Sequence, residues 1–182
     1  QNMKPIPAVG VGQLMIGMLL MASHLREGQQ IGALIKGDGA LNTLFAEASF
    51  DGKTRGYTPH AGFDPGGVLA TKNSICLREF LGSAWLQVTR HQPFQKQPHH
   101  GTVAMVHGEV DLDLTGYLKQ SQQISGHSVI EVGLSPSGQV TSAGGVLIEV
   151  MPGVDRDLIK KIEESTTKNR DLISNTILAG GD

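Results

Sequence analysis

An α+β fold is predicted, with antiparallel β-sheets packed around a buried helix and followed by C-terminal linker helices. Three observations carry it. Ile31 to Tyr57 alternates in hydrophobicity with a period of two and is punctuated by glycine turns. Ala8 to Arg26 is apolar on every side at helical spacing. Beyond Pro152-Gly153 the composition changes to charge-rich sequence carrying a narrow apolar stripe.

Met3 to Pro7 holds two prolines and reads as an extended lead-in. From Val11 to Leu25 the helix presents Leu14, Met15, Met18, Leu19 and Ala22 on one face and Ile16, Leu20 and Met21 on the other. Such a helix belongs inside a core or beneath a second layer, and its glycines allow close approach of other elements. Strands are predicted over 31–36, 43–50 and 54–58. Lys36-Gly37-Asp38-Gly39 forms the first corner, where the two glycines suit positive φ and the aspartate bonds to its own backbone. Asp51-Gly52 is a hairpin turn.

Thr58 to Ser83 is a loop with a short helix over Ser74 to Leu81. Strands over 84–90 and 102–107 form a hairpin across the polar stretch Gln92 to His100. Glu109 to Gln123 is an amphipathic helix capped by Asp111. Two further strands, 129–134 and 146–151, are joined through Ser135-Pro136-Ser137-Gly138 and Ala143-Gly144-Gly145. Asp155 to Lys168 and Arg170 to Ala179 are helices, the first supported by Asp157–Lys161 and Glu164–Lys168 pairs and the second stopped by Gly180-Gly181. The domain reading is a core over 1–152 and a helical linker region over 153–182.

At 182 residues the chain can bury roughly 70% of its unfolded surface. A net charge of −2, with no run of Lys or Arg, gives no nucleic-acid or membrane footprint. Leu14 to Ala22 is shorter than the roughly 20 residues that span a bilayer. The chain opens at Gln1 without a basic-then-apolar leader, so a soluble protein without an export signal is expected. The single cysteine, Cys76, excludes an internal disulfide and a cysteine-rich zinc site within this chain.

The chemical candidates are few. Lys36-Gly37-Asp38-Gly39 lacks the phosphate-loop pattern and reads as a structural turn. His91, His99, His100 and His107 cluster around one hairpin, but no carboxylate or thiol stands at metal-ligand spacing. Ser23-His24 has no nucleophile elbow. Cys76 reads as a small buried hydrophobe, and Met15, Met18 and Met21 as core filling rather than an adaptable binding surface.

Several short motifs nevertheless agree in order. They are Lys36-Gly37-Asp38-Gly39, Arg55-Gly56-Tyr57, Gly101-Thr102-Val103-Ala104 with Gly108-Glu109, Tyr117-Leu118 with Ser121-Gln122-Gln123, and Ala143-Gly144-Gly145 leading to Met151-Pro152-Gly153. In this register the chain resembles the core domain of the redox-regulated holdase chaperone family of the thirty-three-kilodalton heat-shock protein. The likeness runs from Pro5 to about Ile173.

The resemblance implies an ATP-independent, cytoplasmic holdase that binds unfolding client proteins, pairs as a homodimer and is not an enzyme. The family's zinc is held by a C-terminal four-cysteine domain that Cys76 does not match, so no cofactor is expected in this chain and client binding would be constitutive. Neither nucleic acid nor membrane is an expected partner. The client-binding candidates are Leu158, Ile159, Ile162, Leu172, Ile173 and Ile177, apolar positions on helices with little obvious core to cover. The competing class is a small-ligand-binding or metal-dependent enzyme domain using the glycine turns and the histidines.

Overall fold

Helix α1, Pro5–Ala22, lies between two antiparallel sheets in the computed structural model, which describes residues 3–66, 75–93, 97–151 and 153–179. Leu14 and Met18 are fully buried; Met15 and Leu19 are half-buried. The helix has 18 residues at a mean hydropathy of 1.7, enough by length and composition to cross a membrane, but 56% of it is buried within the fold. Being apolar on all sides is therefore what its sandwiched position requires. It begins at Pro5, inside the stretch Met3 to Pro7 predicted as an extended lead-in. Pro5 and Pro7 fall in the first turn, where a missing N–H is no loss. It also stops short of Arg26, because Ser23 Oγ turns back to donate to Leu20 O at 2.7 Å.

The first sheet has the order β3-β2-β1-β4-β5, with β1 Gln30–Gly37, β2 Thr43–Ser49, β3 Thr54–Tyr57, β4 Ala84–His91 and β5 His99–Met105. Its register places Ile35 opposite Leu44 and Leu86, and Ala33 opposite Ala46 and Val88. These side chains form the inner face and are all buried. At the β2–β3 turn Gly52 takes a φ of 79°. There the Asp51 carboxylate accepts from Lys53 and from the Ser49 hydroxyl, which lower its pKa to about 2. β5 starts and ends earlier than the predicted 102–107. Arg90 pairs with His99, and the N–H groups of Val106 and His107 leave the sheet to bond Asp113.

The Lys36–Gly39 corner differs from its prediction in mechanism. Neither Gly37 nor Gly39 has positive φ. A Cβ on Gly37 would stand 2.1 Å from Leu81 O, and one on Gly39 2.4 Å from Phe80 O. The glycines are there so that the backbone after β1 can touch the end of α2, Arg78–Leu81. Asp38 bonds across this junction, accepting from Ser83 N at 2.7 Å, rather than to its own backbone. The short helix predicted from Ser74 is confined to α2; Ser74 itself lies outside the described residues.

Helix α3, Val110–Ser121, buries Leu114, Tyr117 and Leu118. Its N-terminus is held by Asp113, not by the predicted Asp111. The Asp113 carboxylate accepts from Val106 N at 2.8 Å and from His107 N and Glu109 N at 3.1 Å each. Asp111 accepts from Leu112 N alone in the first turn, at 2.8 Å through Oδ1, and turns its Oδ2 toward Arg170.

The second sheet pairs β6, Gly126–Leu134, with β7, Val140–Glu149, across a turn at Ser135–Gly138. Ala143-Gly144-Gly145 is inside β7 and not the predicted connection, because elements press on both faces of the strand. A Cβ on Gly145 would meet Ile16 and Leu20 of α1 at 2.9 and 3.0 Å, and one on Gly144 would meet Ile177 at 3.1 Å. Helix α4, Arg156–Lys168, has Asp155 as its N-cap, and α5, Arg170–Leu178, lies on the face of β6–β7 away from α1. Neither predicted i,i+4 charge pair of α4 closes as an ion pair among the described residues. Pro152 and the Gly180-Gly181 stop lie outside the described residues.

Candidate functional site: apolar surfaces left at the solvent

The six apolar positions on the C-terminal helices divide into two groups. Leu158 and Leu172 point outward, 50% and 65% exposed. Ile159, Ile162, Ile173 and Ile177 are half-buried, and Ile177 seats on Gly144 of β7. The helices thus cover part of the β6–β7 sheet while keeping two leucines at the surface.

A second apolar surface lies on the outer face of the five-stranded sheet. Cross-strand register aligns Tyr57, Phe45 and Leu34 in one row, and sets Trp85 beside it opposite Lys36 and Ala104. Trp85 is 39% exposed and Tyr57 51%. Helices α1 and α3 pack on the opposite face, through positions such as Gly56 and Gly101. Among the described residues no helix covers the aromatic row. The Arg55–Glu47 pair, Nε to Oε1 at 2.7 Å, borders it. These residues were missed from sequence, although strand parity carried the signal. Leu34, Phe45, Tyr57 and Trp85 all have the parity opposite to the core positions Ile35, Leu44, Gly56 and Leu86.

Between α1 and β7 runs a groove of about 510 Å³ lined by Ile16, Leu19, Leu20, Leu147 and Met151. His24 Nδ1 and Glu149 Oε2, 3.3 Å apart, stand on its wall.

The chemical candidates are not brought together. His91, His99, His100 and His107 are exposed, and no group of three His, Cys, Asp or Glu side chains placed to hold a metal occurs among the described residues. The corner glycines offer an anion nothing. Gly37 N, Asp38 N and Gly39 N donate to Asn42 O, Ser83 O and Leu81 O respectively. Ser23 Oγ is engaged with Leu20 O and His24 with Glu149, so the two form no nucleophile–base pair. Cys76 Sγ is half-buried, 3.7 Å from Glu109 Oε1.

The chain is thus an α+β domain that leaves aromatic and aliphatic side chains at the solvent. Comparison with known proteins is specific. The family model described as Hsp33 protein matches residues 1–181, and the chain belongs to the Hsp33 family. A 33 kDa chaperonin of Desulfotalea psychrophila is 32% identical over 178 residues, covering 97% of this chain and 58% of that one. One from Nostoc sp. is 34% identical over 163 residues, covering 87% and 52%. The crystal structure of 33 kDa chaperonin (heat shock protein 33 homolog) from Thermotoga maritima superposes with a TM-score of 0.81 at 27% identity, over 97% of this chain and 59% of that one. The chain spans a little over half the length of these relatives.

Proposed function

We propose that this chain is the client-holding core of an ATP-independent holdase, which binds unfolding proteins and keeps them from aggregating. Residues 1–152 form the core and 153–182 a helical linker region. The client surface combines α4 and α5, with Leu158 and Leu172 exposed and Ile159, Ile162, Ile173 and Ile177 half-buried and available when the helices loosen, with the aromatic row of the outer sheet. The observation that carries this reading is the placement of Trp85, Tyr57 and Phe45 on a sheet face that no helix covers among the described residues, in a chain with 4% aromatic residues. Apolar side chains at the solvent bind partly unfolded segments non-directionally, contributing about 25 cal/mol per Å² of apolar area removed from water. Charged flanks such as Arg55–Glu47 keep the surface soluble. In this reading the protein works in the cytoplasm as a homodimer, performs no catalysis, needs no cofactor within these residues, and answers to oxidative stress through the zinc-binding domain of the family.

The test is light scattering of a thermally unfolding client at equimolar protein, without ATP, with circular dichroism of each variant alongside. The parent chain is expected to suppress scattering equally in reducing and oxidising buffer, since one cysteine cannot form an internal disulfide. Ile159→Ser with Ile162→Ser is expected to weaken suppression, as is Tyr57→Ser with Trp85→Ser. Undiminished suppression by one folded pair removes that surface from the site. No suppression by the parent overturns the holdase reading.

A further inference from the structure

The groove between α1 and β7 forms where two periodicities meet. Ile16, Leu19 and Leu20 fall on one side of α1 at spacings of three and four, and Gly145, Leu147 and Glu149 on one face of β7 at spacings of two. At Gly145 the two elements touch, since a Cβ there would stand 2.9 Å from Ile16 and 3.0 Å from Leu20. Around that contact Ile16, Leu19, Leu20 and Leu147 are only half-buried, and Met151 at the mouth is 71% exposed. The volume of about 510 Å³ is that of a ligand cleft rather than a packing defect. From Ala143 to Glu149 it runs about 20 Å at the rise of a strand, the reach of about six residues of an extended chain.

One wall of this apolar groove carries a carboxylate with too few donors. The Glu149 side chain is 16% exposed, and its only polar partner among the described residues is His24 Nδ1, 3.3 Å from Oε2. A carboxylate drawn this far out of water is ordinarily met by several donors, because its two oxygens offer about four acceptor positions. His24, 56% exposed, stands on the solvent side, and no other ionisable group lines the groove among the described residues. The surroundings therefore call for apolar matter along the groove and a cationic donor at its Glu149 end.

We propose that the groove seats an aliphatic polypeptide segment of about six residues that carries a Lys or Arg at one end. Its apolar side chains cover Ile16, Leu19, Leu20 and Leu147, while the basic side chain lays its methylene stem along them and donates to Glu149. Charge complementarity selects the basic end. Length and shape select a polypeptide: the groove is open along one side, so a chain enters sideways with its backbone still in water, and Met151 adapts to it as a flexible lip. The groove faces α1, whereas α5 meets β7 through Gly144 on its other face and the aromatic row lies across the first sheet. It is thus a third surface, and its occupancy does not rest on the holdase reading.

The experiment is fluorescence anisotropy of labelled, C-terminally amidated peptides titrated with the full chain. Each has a run of Leu and Ala followed by Lys, Gln or Glu, about six residues in all. The Lys peptide is expected to bind about tenfold tighter than the Glu peptide, with the Gln peptide between, and the gap should narrow as salt is raised. Glu149→Gln should bring the three to a common affinity. Glu149→Lys should invert their order, a gain for the Glu peptide that a misfolded chain cannot produce. Met151→Ser should weaken all three alike, and Tyr57→Ser with Trp85→Ser should leave both order and affinity unchanged. Equal affinities in the parent overturn the proposal, as does an order that survives Glu149→Gln or is lost with the Tyr57 and Trp85 pair. Saturable binding of decylamine without binding of any peptide assigns the groove to a small amphiphile and overturns the polypeptide reading. Peptide affinity that falls as the protein concentration rises assigns it to a second copy of the chain, and overturns it as well.

Discussion

Replacing Gly37 by alanine adds one methyl group, and the structure says what it would strike. The new Cβ would stand 2.1 Å from Leu81 O, 3.0 Å from the Leu81 carbonyl carbon and 3.1 Å from Ala84 Cβ. Favourable non-bonded contacts lie near 3.5 Å, so the overlap exceeds about 1 Å, and its main target is backbone that cannot rotate away. The strand and the end of α2 must separate. Three of the hydrogen bonds that span that junction lie closest to Gly37: Asp38 N to Ser83 O at 3.2 Å, Gly39 N to Leu81 O at 2.9 Å, and Ser83 N to Asp38 Oδ1 at 2.7 Å. At about 1 kcal/mol each, their loss comes to about 3 kcal/mol, out of the 5–15 kcal/mol typical of a domain. For a chain of this size that lowers Tm by about 6–12 °C. Thermal unfolding followed by circular dichroism measures it, with Gly62→Ala as control because its Cβ meets nothing within 4 Å. A Gly37→Ala chain melting within about 2 °C of the parent would refute the close-approach account of this corner.

Two further outcomes follow from the polar contacts. Asp113→Ala leaves the N–H groups of Val106, His107 and Glu109 without their acceptor, and should cost about 3 kcal/mol in urea unfolding. Asp113→Asn should fall between, because only one of its two side-chain atoms still accepts. Arg170→Ala leaves Asp111, whose side chain is 5% exposed, as an uncompensated charge. With the 30% exposure of Arg170 as a discount, it should raise α5 hydrogen exchange by about 1–2 kcal/mol, and Asp111→Asn in the same chain should restore part of the loss.

The meander was legible because every local signal agreed. Ile31, Ala33 and Ile35 alternate against Leu44, Ala46 and Ala48, and Asp51-Gly52 closes the hairpin, so register and faces were both set by period and turn chemistry. The all-apolar helix was legible for the same reason. Where prediction failed, the deciding partner was distant in sequence. Gly37 and Gly39 were read as left-handed turn residues, but what they accommodate is the carbonyls of Phe80 and Leu81. Gly144 and Gly145 read as a loop until Ile177 on one side and Ile16 with Leu20 on the other are seen to occupy the space. Asp111 and Asp113 are equally plausible caps locally. Only the path of Val106–Glu109 and the arrival of Arg170 separate their roles. The same holds for the outer sheet face. Taken singly, Phe45 and Tyr57 carry no signal in the sequence beyond strand parity; the strand register is what sets them in one row with Leu34, next to Trp85.

That row bears on why the protein has so few aromatic residues and yet leaves several outside. The core consists largely of Leu, Ile, Val, Ala and Met, with Phe80 and Tyr117 its only buried aromatics among the described residues. Burying a large apolar side chain contributes about 1.5–3 kcal/mol relative to exposure, so stability alone would draw the single tryptophan inward. It stands instead at 39% exposure on the sheet face that also carries Tyr57 and Phe45, over which no helix lies among the described residues. On the other side of the molecule, α5 covers β6–β7 through half-buried isoleucines and the polar contacts of Arg170 with Asp111 and Ser174 with Glu131 rather than a dry apolar seam. A helix held this way can be released at a few kcal/mol, while the α1-centred core that supports the aromatic face stays intact. The two surfaces thus differ in kind: among the described residues the sheet face has no helix over it, whereas the β6–β7 face lies beneath α5.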